Sequence, residues 1–109
     1  MYESEQAINL VRKAMLMDES LETPGCCRDA VKKLYQQLHE HFPDLLKRYL
    51  VYRDPETGES LHYSLLITNH ADQNYIINPV QAALFPQYLG PEETAPFTFQ
   101  KMKTTEEIT

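Results

Sequence analysis

The chain has 109 residues, 42% of them hydrophobic and 24% charged, which suits one globular domain built on one core. Only 10 Lys and Arg stand against 16 Asp and Glu, for a net charge of −6, which argues against nucleic acid or an anionic membrane surface as a partner. No apolar run approaches the length of a membrane span, and the acidic start Met1-Tyr2-Glu3-Ser4-Glu5 is not a secretory signal. The expected location is therefore cytoplasmic, and an effector exported by another route would read the same way.

A first helix is predicted from Glu3 to about Met17, where Ala7, Ile8, Val11, Ala14 and Met15 recur at helical spacing on one stripe. Glu3 and Glu5 favour its start through the helix dipole. Asp18 to Gly25 reads as a loop, punctuated by Thr23-Pro24-Gly25. A second helix should run from about Cys27 to Glu40, with Cys27, Ala30, Val31, Leu34 and Leu38 on its buried stripe. Pro43 limits that helix, and a short helical turn is expected at Asp44-Leu45-Leu46.

Arg48 to Arg53 alternates and is aromatic, so it is predicted as a strand. Asp54 to Glu59 is a turn. Leu61 to Ile67 and Tyr75 to Asn78 read as two strands of a β-hairpin, closed by Thr68 to Gln73. Beyond Pro79, a helical turn is expected over Val80 to Phe85, then loops, then a last edge strand over Phe97 to Met102. Residues 1–103 form one domain in this reading, with a frayed tail over residues 104–109. The architecture is α+β: N-terminal helices packed on a three- to four-stranded antiparallel sheet.

Three side chains carry a chemical hypothesis. His62 and Asn78 are 16 positions apart, and in an unbulged hairpin an even separation puts both on one sheet face. A loop centred near His70 would set them directly opposite. Cys27 opens the second helix, and a thiolate is favoured at a helix N-terminus or beside an imidazolium. If that helix lies over the His62 face, Cys27 is a nucleophile, His62 its base and Asn78 the group that orients the ring. Cys26 takes the thiol role if the register slips by one. The two cysteines are adjacent, so they are read as free thiols in a reducing compartment rather than as a disulfide.

At this point the chain resembles the transglutaminase-like branch of the papain-like cysteine fold. Gly25-Cys26-Cys27-Arg28-Asp29-Ala30 stands for a Gly-x-Cys opening a helix. Leu61-His62-Tyr63-Ser64-Leu65 stands for a His near a strand start, and Ile76-Ile77-Asn78-Pro79-Val80 for an Asp-Pro ending the next strand. Asn78 replaces that family's usual Asp, no aromatic substrate loop is evident, and Gln6 is the one side chain considered as an oxyanion donor. The resemblance implies a cysteine-dependent acyl transferase or amide hydrolase with a protein or peptide substrate and no cofactor. The competing expectation is a non-catalytic binding, adaptor or regulatory module on the same fold, which the small size favours.

Blander readings attach to the other candidates. His39-Glu40-His41 lacks metal-ligand spacing, because i and i+2 on a helix face different ways, so no metal site is expected. His70 is read as an exposed turn residue, and Asn78-Pro79 as a strand terminator. Tyr49, Tyr52, Tyr63, Tyr75 and Tyr88 are read mostly as core or sheet pairing, with Tyr88-Leu89-Gly90, Phe85 and Pro86 as the alternative of an apolar ligand or partner surface. Ser60 and Ser64 lack a nucleophile-elbow context.

Overall fold

The structure, a computed structural model, describes residues 2–107. Helix α1 spans Tyr2–Met17 and α2 spans Cys27–His41, with a 3-10 turn at Glu19–Glu22 between them. Five strands follow: β1 (Leu46–Arg53), β2 (Ser60–Thr68), β3 (Asn74–Asn78), β4 (Tyr88–Pro91) and β5 (Lys103–Thr105). They form one antiparallel sheet in the order β4-β3-β2-β1-β5. Among the described residues no helix is long and apolar enough to cross a membrane.

The helices form where apolar residues recur at three- to four-residue spacing. Ala7, Ile8, Val11 and Met15 of α1 and Ala30, Val31, Leu34 and Leu38 of α2 are buried together. They meet one face of the sheet, supplied by Tyr49, Leu65, Ile67 and Ile77. Strand alternation sends the intervening residues the other way. Leu50, Leu66 and Ile76 form a second cluster there, capped by Phe85, Phe99 and Met102. The sheet is thus a middle layer, with helices in front and non-helical chain and a 3-10 segment (Phe97–Lys101) behind.

Five expectations are corrected. The sheet has five strands, not three or four, because Tyr88–Pro91 adds to β3 and Lys103–Thr105 adds to β1. Phe97 to Met102 is not a strand: it is a 3-10 turn that buries Phe99 and Met102, three residues apart, on one side. Val80 to Phe85 is not helical but a tight turn closed by reciprocal backbone bonds between Ala82 and Phe85. The expected helical turn at Asp44-Leu45-Leu46 gives way to a single turn closed by the Leu45 N–H on the Phe42 carbonyl, with β1 starting at Leu46. The tail expected to fray from Thr104 contributes Thr104 and Thr105 to the sheet, while Ile108 and Thr109 lie outside the described residues.

A buried hydrogen-bonded triad behind the sheet

Strand β2 decides the site. Its odd positions Tyr63, Leu65 and Ile67 pack toward the helices, so His62, Ser64 and Leu66 project behind the sheet. On β3, Ile77 faces the helices and Ile76 and Asn78 face behind. The β2–β3 hairpin pairs Leu65 with Ile77 and closes through the five residues Asn69–Gln73, centred on Ala71 rather than His70. Continuing that register by one step sets Asn78 across from Ser64, with His62 on the diagonal. The shared face is as expected, and the direct opposition of His62 and Asn78 is not.

Asn78 is the hub. Its Nδ2 donates to the Pro86 carbonyl at 2.7 Å. A carbonyl only accepts, so the amide orientation follows and Oδ1 points the other way. That oxygen receives two bonds, from His62 Nε2 at 2.7 Å and from Ser64 Oγ at 2.8 Å. The imidazole is therefore the Nε2–H tautomer, with Nδ1 as its basic nitrogen. His62 is 2% exposed, and Ser64 and Asn78 are fully buried. The His62 ring lies flat on Phe85, with centroids 4.9 Å apart and planes 7° apart. Phe85 in turn meets Tyr52 at 5.3 Å and Phe99 at 5.4 Å.

Burial pushes the His62 pKa below its ordinary value of 6.5, and the Asn78 hydrogen bond opposes that shift only in part. Above pH 6.5 folded and unfolded chains both hold a neutral ring. Below it the unfolded chain takes up a proton that the folded chain does not, so this residue's contribution to stability falls as the pH falls. Urea unfolding between pH 7.5 and 5 should show that loss, and His62→Phe should flatten it over the same range.

The thiols stand apart from this network. Thr23-Pro24-Gly25-Cys26 makes a tight turn, with the Cys26 N–H on the Thr23 carbonyl at 3.1 Å and Gly25 at φ +85°. That is the type II pattern, with Pro then Gly at the centre. Cys26 caps α2 without a side-chain hydrogen bond, and Cys27 begins the helix. Both are half-buried free thiols, and Cys27 packs against the helix-side core. Comparison with family models, curated proteins and solved structures gives no match for this chain.

Of Cys27, His62 and Asn78, expected to converge, two meet in this structure. The structure joins His62 to Asn78 and places Cys27 in the opposite core, and no hydrogen bond links either sulfur to the ring. The physical reason is that β2 is buried on both faces. The helices cover the face carrying Tyr63, Leu65 and Ile67, and the imidazole occupies the other. Gln6 is equally remote: it lies on α1 at the groove between the helices.

Ser64 and Phe85 were not among the expected partners of the pair. Ser64 was detectable, because it is two positions from His62 and so shares its face. The Phe85 stack depends on how the chain after Pro79 folds back, which no local pattern encodes. The expected surface at Phe85 and Tyr88-Leu89-Gly90 is corrected too, since Phe85 is buried, Tyr88 is half-buried and the tripeptide is strand β4. Its tyrosine hydroxyl donates to the Pro91 carbonyl at 2.6 Å.

His39 and His41 are exposed near the end of α2, where His41 Nδ1 donates to the Gln37 carbonyl at 3.0 Å. Among the described residues no three His, Cys, Asp or Glu side chains gather closely enough to hold a metal ion. His70 is exposed and lies 3.2 Å from the Glu3 carboxylate. Another buried ionisable group is Lys47, whose ammonium donates to the Phe42 and Leu45 carbonyls at 3.0 and 2.7 Å. It ties down the chain just after α2, and burial lowers its pKa.

Proposed function

We propose that this domain is a non-catalytic binding module, in which His62, Ser64 and Asn78 serve the fold rather than a reaction. The observation that carries this reading is that the Asn78 oxygen is spent on two buried side chains, His62 and Ser64, and its amide nitrogen on the Pro86 carbonyl. The imidazole is closed over by Phe85 and has no open face for a substrate. A general base must come within hydrogen-bond reach of the proton it removes, and no cleft reaches this ring among the cavities seen.

Iodoacetamide labelling of the two thiols across pH tests the proposal. The expected result is slow labelling at pH 6–7, indifferent to His62→Gln. Cys26→Ser and Cys27→Ser assign the signal to one sulfur. Fast labelling at pH 6–7 that His62→Gln removes while the fold is retained would overturn it.

One observation favours a second reading, cysteine-dependent acyl transfer or amide hydrolysis through Cys27, His62 and Asn78. The Nε2–H to Oδ1 bond leaves Nδ1 as the basic nitrogen, which is what an orienting amide does for its base. That reading needs the N-terminal end of α2 to swing toward the ring, and the fast-labelling outcome is its signature.

A further inference from the structure

We infer that the open groove between α1 and α2 docks an amphipathic helix, acidic along its flank, from a partner protein. The inference rests on the binding-module reading and names its surface and the chemistry of its partner. The groove has a volume of about 570 Å³, and its apolar lining is Leu10, Ala14, Met17 and Phe42. Met17, at the end of α1, is 89% exposed.

The shape indicates the occupant. On α1 the lining runs from Gln6 through Leu10 and Ala14 to Met17, an unbroken stripe at three- to four-residue spacing. Eleven residues of rise at 1.5 Å span about 16 Å, the length of three helical turns. A groove of that length between two helices suits a third helix presenting residues at i, i+3, i+4 and i+7.

Charge indicates its flank. The chain carries 16 Asp and Glu, yet none of them lines this groove. Its titratable members are Lys13 on α1 and His41 at the end of α2. Lys13 has no carboxylate within ion-pair distance among the described residues. A lysine with no carboxylate beside it, in a groove no acidic residue lines on an otherwise acidic molecule, selects an acidic partner and repels a basic one.

The test is display of 16-residue helical peptides with fixed apolar spacing and randomised flanks, selected on the intact chain and counter-selected on Ala14→Arg. Winners should carry acidic flanks, bind wild type at least tenfold more tightly than Ala14→Arg, weaken about tenfold on Lys13→Glu and weaken further with salt. Should Ala14→Arg fail a circular-dichroism check of folding, the exposed Lys13→Glu carries the comparison alone. Basic or neutral winners, equal binding to the variants, or no winners would overturn the inference. So would self-association through the groove, or groove-dependent binding to phosphatidylglycerol vesicles. None of these failures alters the thiol-labelling result, so the two readings fall separately.

Discussion

Replacing Asn78 with alanine is expected to remove about 3–5 kcal/mol of folding stability, a large share of what a domain this size possesses. One side chain serves three partners, and two of them, the His62 Nε2–H and the Ser64 hydroxyl, lie in buried residues. Each orphaned buried polar group costs on the order of 1–3 kcal/mol, and the lost bond to the Pro86 carbonyl frees the returning loop as well. Equilibrium urea unfolding is the measurement. The midpoint should fall sharply while the slope stays near the wild-type value. Asn78→Asp separates the contributions. The carboxylate still accepts from His62 and Ser64 but meets the Pro86 carbonyl with a second acceptor, so it should cost less than alanine at low pH, where a protonated His62 can pair with it. A loss of under 1 kcal/mol for Asn78→Ala would mean that the triad adds little to the fold.

Phe85→Ala should be of comparable size, about 3–5 kcal/mol, corresponding to a Tm lowered by roughly 15–25 °C. The ring is the keystone behind the sheet, touching His62, Tyr52 and Phe99 at once. Removing it opens a hole among three aromatic rings that a rigid sheet cannot collapse to fill. Phe85→Leu keeps most of the volume and should cost well under half as much. Calorimetry reads both values, and near-ultraviolet circular dichroism should report the lost aromatic packing. If Phe85→Ala melted within a few degrees of wild type, the second core would be loosely packed and His62 open to solvent.

Much of this arrangement was legible, and the part that was not has a definite cause. The stripes Ala7-Ile8-Val11-Met15 and Ala30-Val31-Leu34-Leu38 announce two helices because burial on one side demands that spacing. The even separation of His62 and Asn78 likewise reveals a shared face, since pleating has period two. What alternation cannot reveal is which face the helices choose. Leu66 and Ile76 are as apolar as Leu65 and Ile77, so the strands advertise two cores without labelling them.

Strand β4 was hidden because Gly90 and Pro91 look like punctuation. Pro91 is tolerated there because β4 is an edge strand. Phe97-Thr98-Phe99 mimicked a strand by its alternation, yet the spacing that mattered was the three residues from Phe99 to Met102. The His-Asn pair shares one sheet face and a hydrogen bond, set on the diagonal rather than directly opposite as the loop reading expects.

The rear cover of the sheet has a consequence for synthesis. Leu50, Leu66 and Ile76 leave the ribosome well before Phe99 and Met102, the residues that finally shield them. For the time needed to add those last residues, a greasy β surface stands open in the nascent polypeptide. Ribosome stalling upstream of Phe99 should therefore yield chains that chaperones hold, and release past Met102 should let them go.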